Sequence, residues 1–500
     1  MNPEMELAKA AIASAPLRVC SDLVLVDTGV SPRPPKRKRK GNGVRGFLGI
    51  ELSRKLVWPT RAATDTVRAM SAFDAAESAK GLAPADSSGP TPKPVRIRSI
   101  DALRGLVMFT MIFVNDLAGA DARIVPWWMR HFKSDGNGMT FVDLVFPAFL
   151  FIVGMSIPFG LGSRLRQGDS LASIVGHVLV RTVSLLAIGI LMVNEAPNAA
   201  AMGWSPALWS VLMYSSAILV FSSFSPPGGT TSDGIRRVLP TLVRVIGVAS
   251  LIGLAFAFRG EGGRRIITLV PFSLYTSWYG ILGLIGWAYL VAATVFLAFR
   301  EDRAALLGCT VLLLCLYVAD RTGLLDGFWL SHYVGIGSTL GSLASIAVAG
   351  VLLALVLVTP ETTTFGSRAR FTLWFIAGFG AAAWLLHGLY GINKNSATPS
   401  WCLWACAITA TLWLGFHLFC DVCPVGWVAK PLVLAGSNVL LAYLLSEMLP
   451  SLITLLGFAG AYDRMAGPAL VNAVVRSAGC ALVVLIVAGL INRAGLRLRL

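Results

Sequence analysis

Charge is scarce in this chain of 500 residues: only 14% are Asp, Glu, Lys or Arg, while 55% are apolar. A soluble chain of this length would carry about 25% charge and divide into two to four domains. Other things are missing too. No N-x-S/T sequon occurs, which points away from a heavily glycosylated secretory protein and towards a bacterial inner membrane. No Walker loop, dinucleotide fingerprint, G-x-S-x-G or H-E-x-x-H is present, so the commonest nucleotide, hydrolase and zinc-protease sites are excluded. The apolar stretches do not alternate, which argues against a membrane β-barrel. The start lacks the basic-then-apolar order of a signal peptide.

What the chain has instead is long apolar runs. Each is long enough to cross about 30 Å of hydrocarbon as a helix. Only helices satisfy their backbone groups locally in lipid. The expected class is therefore all-α, a polytopic helical membrane protein with about 11–12 transmembrane helices. Twelve spans are read at 99–119, 139–162, 171–194, 204–224, 237–258, 276–299, 304–320, 335–358, 371–391, 400–420, 430–455 and 467–491. The run at 304–320 is short, and 430–455 is a candidate for a kink.

Residues 1–95 read differently, and the membrane domain is expected over 96–500. The first 98 residues hold 17 Lys+Arg against 9 Asp+Glu, including PRPPKRKRK at 32–40, and no long apolar run. They read as a disordered basic tail, with contact to anionic lipid as a second use. Met70 or a nearby codon is an expected alternative start. Basic residues in short loops favour cytoplasmic N- and C-termini. That orientation puts 120–138 and 321–334, each with Trp, His and Asp, on the outer face.

Polar and ionisable residues inside or beside spans are costly and mark candidate function. They are Asp101, Arg104, Asn115 with Asp116, His131, Asp143, Arg181, His387 and Glu447. Asp101 and Arg104 stand three apart and share a helix face, so they can pair. Arg104 also suits an anionic cofactor, as do Arg164 and Arg166 at the same face. Asn115, Asp116, His131 and Asp143 would meet at the outer mouth of the first two spans if the connecting loop folds back. A histidine beside a carboxylate can act as base or nucleophile. The plainer reading of Asp143 is a cap on the second span. His177, His387 and His417 lie on apolar runs and are expected to be packed. His417, Cys420 and Cys423 have part of a metal-site spacing but no fourth ligand, so no metal is expected. Most of the eight cysteines read as small apolar residues.

Several blocks resemble the heparan-alpha-glucosaminide N-acetyltransferase family. They are R-I-R-S-I-D-A-L-R-G-L (96–106), F-V-N (113–115) and N-G-M-T-F-V-D-L-V-F-P-A-F-L-F-I-V-G-M-S-I (137–157). G-I-L-G-L-I-G-W-A-Y-L (280–290), I-N-K-N-S-A-T-P-S (392–400) and G-S-N-V-L-L-A-Y (436–443) resemble later blocks. The resemblance implies acetyl transfer across a membrane, from cytosolic acetyl-CoA to an amino sugar on the outer or lumenal side. It implies that His131 matches the active-site histidine and Asn115 the asparagine of the first hairpin. The family pattern H-x-x-W-N-G appears here as H-F-K-S-D-G-N-G, two residues longer, with Gly136 where tryptophan is expected.

The expected function is thus a membrane acetyltransferase, with His131 as base or acetyl carrier, Asp143 as its orienter and Asn115 steadying the oxyanion. The expected partners are acetyl-CoA as co-substrate, membrane lipids and an amino-sugar or glycan acceptor. A homodimer is compatible with this reading, and nucleic acid is not expected. The rival readings are a transporter of a polar solute and an inactive family member.

Overall fold

The computed structural model describes residues 97–194, 197–224, 234–270, 272–275, 280–359, 364–423 and 425–498. The expected basic tail and the alternative start near Met70 lie outside the described residues. The protein is an integral membrane protein built almost wholly of helices. In chain order these are α1 (Arg98–Leu117), α2 (Val145–Arg166), α3 (Leu171–Val193), α4 (Pro206–Phe221) and α5 (Gly234–Ala257). Then come α6 (Ile281–Phe299), α7 (Arg303–Arg321), α8 (Ala344–Val358), α9 (Phe365–Tyr390) and α10 (Pro399–His417). The last are α11 (Gly426–Ala435), α12 (Val439–Leu455) and α13 (Leu470–Arg493). Two antiparallel strand pairs complete the described fold: Ser222–Phe224 with Leu496–Leu498, and Ile267–Leu269 with Phe272–Leu274.

Local sequence explains many helix starts. Ser170, Asp302 and Thr364 accept backbone N–H bonds at the starts of α3, α7 and α9. Pro206 and Pro399 open α4 and α10, where a missing N–H costs nothing. Among the described residues nine helices are long and apolar enough to cross a membrane. A tenth span follows if α11 and α12 count as one. That pair is bent by 72° between Ala429–Ala435 and Val439–Leu455, inside the run expected to kink. The two remaining expected spans are helical but weaker. Helix α1 carries Asp101, Arg104 and Asp116, and α4 has only 16 residues.

Helix α8, extended at its start by a π-helical turn (Ile336–Leu343), is the centre of the bundle. Its most apolar window is 89% buried, against 17% for α5 and 22% for α9. A helix apolar on all sides belongs inside. Helices α5 and α9 instead present Val245, Ile252, Trp374 and Leu385 outward, as a lipid-facing wall would. Glycine allows the closest crossings. A Cβ on Gly154 of α2 would lie 1.9 Å from the Ala347 carbonyl oxygen of α8. One on Gly350 would lie 2.1 Å from the Phe151 carbonyl oxygen. Gly105 of α1 and Gly436 make a similar mutual approach, which seats the α11–α12 break against α1.

Candidate active site at the mouth of the first hairpin

The chain between α1 and α2 folds back and brings His131 to Asp143. Thr140 and Asp143 form a capping box at the short 3₁₀ turn, Phe141–Leu144, that leads into α2. Asp143 Oδ2 accepts from Thr140 N and from Phe132 N, each at 3.0 Å. Asp143 Oδ1 lies 2.8 Å from His131 Nδ1. The carboxylate is therefore a cap with one oxygen and a histidine partner with the other. The Thr140 hydroxyl donates to the Arg130 carbonyl at 2.7 Å, which fixes the backbone beside His131.

A third group closes this cluster. Lys394 Nζ lies 2.9 Å from His131 Nδ1 and 3.6 Å from Asp143 Oδ1. It comes from the α9–α10 connection, which is laced to the histidine loop. Gly138 N donates to the Ile392 carbonyl and Ile392 N donates to Asn137 Oδ1, both at 2.8 Å. The Asn393 amide donates to the carbonyls of Ser134, at 2.8 Å, and Gly136, at 3.1 Å. The Phe132 ring covers the loop from inside: a Cβ on Gly136 or Gly138 would lie 2.6 Å from it. Phenylalanine at 132 thus takes up the space beside Gly136 and Gly138.

Nδ1 of His131 faces two partners of opposite character: an ionised carboxylate at Asp143 only accepts, and a charged ammonium at Lys394 only donates. The Asp143 side chain is 2% exposed and the His131 side chain 49% exposed, so the imidazole reaches from a buried anchor into open space. Burial pulls the Lys394 ammonium below the usual lysine range, while the Asp143 charge pushes it back up.

That space is a cavity of about 490 Å³, lined by His131, Lys394, Asn115 and apolar groups such as Val142, Phe146 and Leu284. A second cavity of about 450 Å³ lies deeper along α1. Its polar wall holds Arg104, Ser156, Arg181, Ser437 and Asn438. Arg104 binds Asp101 Oδ1 at 3.1 Å, as the spacing suggested, and Ser156 Oγ at 2.7 Å. Arg181 lies over the Tyr289 ring at 4.5 Å, and its buried Nε has no hydrogen-bond partner among the described residues. The start of α12 faces the same cavity and adds the positive end of a helix. Met111 and Ile281 line both cavities, so the two spaces abut.

Other candidates fall elsewhere. Asp116 turns to α13, accepting from Ser477 Oγ and Tyr462 Oη at 2.6 Å and pairing with Arg476 at 3.1 Å. It does not join His131. Asn115 does, as a wall of the same cavity, and its amide also contacts Glu447 Oε1 at 3.4 Å. Arg164 pairs with Asp169 at 3.5 Å, and Arg166 lines a separate space of about 180 Å³. Neither lines the Arg104 cavity. His417 is packed, stacked on Trp413 and bonded to Asp421 at 2.9 Å. His177 is exposed on α3 rather than packed, although Ile174 and Val178 on the same turn are buried. Among the described residues no group of three or more His, Cys, Asp or Glu is placed to hold a metal ion. Lys394 is the residue that reading the sequence for site groups misses. Its one signal is an uncommon lysine in a polar connection, I-N-K-N-S-A-T-P-S, between two apolar runs.

Residues 96–265 match the family described as "Domain of unknown function (DUF5009)", a stretch that contains His131, Asp143, Arg104 and Arg181. The heparan-alpha-glucosaminide N-acetyltransferase of Homo sapiens is 40% identical over 105 residues, and that of Mus musculus 40% over 103. The chain is similar to heparan-alpha-glucosaminide N-acetyltransferases. Each match covers 21% of this chain and 14% of the relative, so the chain is matched over about a seventh of the length of these relatives. Lys394, 263 residues after His131, lies outside the DUF5009 segment.

Proposed function

We propose that this protein is a membrane acetyltransferase that moves an acetyl group from acetyl-CoA to an amine, with His131 as the base. The observation that carries this reading is the pair of abutting cavities, basic at the Arg104 and Arg181 end and histidine-lined at the other. Along α1, Arg104 and Asn115 are separated by about 16 Å of helix rise. An extended thioester arm can span that length, with its anionic end towards the guanidinium groups and the start of α12. In transfer, the amine nitrogen attacks the acetyl carbon and the carbon–sulfur bond breaks. The sulfur leaves with the electron pair, and the amine proton passes to His131 Nε2. Asp143 holds the imidazole in the tautomer that leaves Nε2 bare. The Asn115 amide, on the same wall, supplies a donor for the developing oxyanion. The resemblance to N-acetyltransferases supports an amino-sugar acceptor, the basic tail supports cytoplasmic termini, and the absence of sequons supports a bacterial inner membrane.

The test is transfer from labelled acetyl-CoA in membranes, with and without glucosamine. His131→Ala should lower it by about 10²–10⁴-fold while the protein still accumulates in the membrane. Full activity in that variant would remove the histidine from the mechanism. Labelled protein recovered without acceptor would make His131 a carrier rather than a base.

A second reading is transport of a polar solute, favoured by the broken α11–α12 pair whose gap lines the Arg104 cavity. Solute uptake into proteoliposomes without any acyl donor would establish it.

A further inference from the structure

Helices α7 and α9 leave a furrow of about 720 Å³ between them. Leu352 of α8 and Leu403 of α10 form its buried floor. Its walls are apolar, with Val311 and Val318 on one side and Trp374 and Leu385 on the other. Along α9 it runs from Phe371 to Tyr390, about 28 Å of helix rise and nearly the hydrocarbon thickness of a bilayer. The two ends differ. At one, Arg303 is already engaged, stacked on Phe371 at 5.0 Å and donating to the Thr359 hydroxyl. At the other, Tyr390 packs edge-on against Tyr317, with 5.7 Å between ring centroids. Arg321, one turn beyond the wall residue Val318, is exposed and donates from Nε to the Tyr317 hydroxyl at 3.2 Å. The Asp320 carboxylate beside it lies against Gly337 of the π-helical turn, where a Cβ would be 2.6 Å away. This second end borders the candidate site. Pro399 lines the furrow, and Ala397, two residues earlier, lines the His131 cavity with Lys394. One connection thus borders both spaces.

We propose that this furrow holds the chain of a long-chain lipid phosphate that carries the acceptor amino sugar, with the phosphate at Arg321 and the sugar reaching past the 391–398 connection to His131. The proposal rests on the acetyltransferase reading and names the class of its acceptor. Three observations select the occupant. An apolar furrow within membrane-spanning helices is filled by a hydrocarbon chain, because an empty one forfeits its contacts and a polar group cannot enter unpaired. Its length selects among chains: the tail of an ordinary phospholipid reaches only about half the hydrocarbon thickness, ~15 Å, whereas this furrow continues through nearly all of it. Its charged end selects the head. A guanidinium fork matches a phosphate, and Arg321 stands at the end that borders the His131 cavity, while Arg303 at the far end is held by Thr359. The acceptor then enters sideways, from the plane of the bilayer.

Acetyl transfer in proteoliposomes tests this, with three acceptors: free glucosamine, glucosamine linked to a polyprenyl phosphate, and glucosamine linked to an ordinary diacyl phospholipid. The wild type should favour the polyprenyl-linked sugar over the phospholipid-linked one by about tenfold in kcat/KM. Gly378→Trp puts a ring into the furrow where nothing lies within 4 Å of the Cβ, and should erase that preference. Arg321→Gln should raise KM for both lipid-linked sugars by about tenfold. Both variants should acetylate free glucosamine as the wild type does, which shows that they fold. Independently of turnover, a polyprenyl phosphate with a photoreactive chain should label α7 and α9 more than an equally reactive phospholipid does. Transfer to free glucosamine with no preference between the lipid-linked sugars, and equal labelling by the two probes, would overturn the proposal and leave the transferase standing. Labelling that depends on Arg321, in a protein that acetylates none of the three acceptors, would overturn the transferase and the acceptor role and leave a lipid-phosphate site. A disulfide between two copies through Trp374→Cys would seat a second copy in the furrow and overturn the proposal.

Discussion

Asp143 illustrates why one residue can support two readings at once. Its Oδ2 caps the entrance of α2, and its Oδ1 orients His131. Asparagine keeps the shape but has one oxygen and one NH₂. In one flip the NH₂ faces the two backbone N–H donors, and in the other it takes the place of the acceptor beside His131 Nδ1. Asp143→Asn should therefore lower transfer by about 10–10⁴-fold and also cost thermal stability, because a buried donor is left unmet. Activity near wild type would leave only the cap. Lys394 offers a separate test through pH. Below its folded pKa the lysine is charged in both folded and unfolded states, and the cost of burial is present in full. As pH rises from that lowered value towards about 10.4, the unfolded chain binds the extra proton and the fold gains stability. Lys394→Met removes this rise. Thermal midpoints from about pH 8 to 10.5 should show the wild type gaining on the variant, whereas parallel curves would contradict a desolvated ammonium. The histidine and the aspartate were legible in the sequence because both stand beside an apolar run. The lysine was not, since nothing local ties it to a residue 263 positions earlier.

At the scale of the element, the spans could be read directly, because in so uncharged a chain an apolar stretch of some 20 residues fits a membrane crossing and little else. Less could be read where the backbone departs from a regular helix. The π-helical turn at Ile336–Leu343 and the 72° break before Val439 depend on contacts with α7 and α1 that no local pattern records. Glycine recurs through the apolar runs, but nothing local in the sequence says which of them touch. That distinction is testable. Gly154→Ala and Gly350→Ala force a methyl into the backbone of the facing helix and should each cost about 1–3 kcal/mol or more in detergent-solubilised protein. Gly378→Ala in α9, with nothing within 4 Å, should be neutral or stabilising by up to about 1 kcal/mol. Equal thermal midpoints for the three variants would argue against the close α2–α8 crossing.

At the scale of the molecule, the cavities change in character along the bundle. Arg104 and Arg181 mark one cavity, and at the Asn115 end of α1 the histidine cluster and the space walled by Glu447 and Asp463 lie side by side. Arg181→Gln should raise KM for acetyl-CoA by about tenfold, with KM for glucosamine unchanged, since Arg181 lines the Arg104 cavity and not the His131 cavity. Equal loss in both substrates would mean that the arginine supports the fold instead. The direction across the membrane can be checked separately. A cysteine placed at Ser134 should react with an impermeant thiol reagent from outside, and one at Gly162 should not. The reverse pattern would turn the molecule over and exchange the sides of donor and acceptor.

The lacing between the histidine loop and the 391–398 connection also sets a timetable. His131 and Asp143 are made early, and Lys394 with its supporting Asn393 follows some 250 residues later. At ordinary rates of synthesis that interval is roughly 10–50 s. Throughout it the nascent chain holds an imidazole and a carboxylate in an unlaced loop, facing a half-built bundle. Competence would arrive late, when the ninth and tenth helices insert and their connection docks. Two separately expressed pieces, cut between α8 and α9, should each be silent and regain transfer when made together.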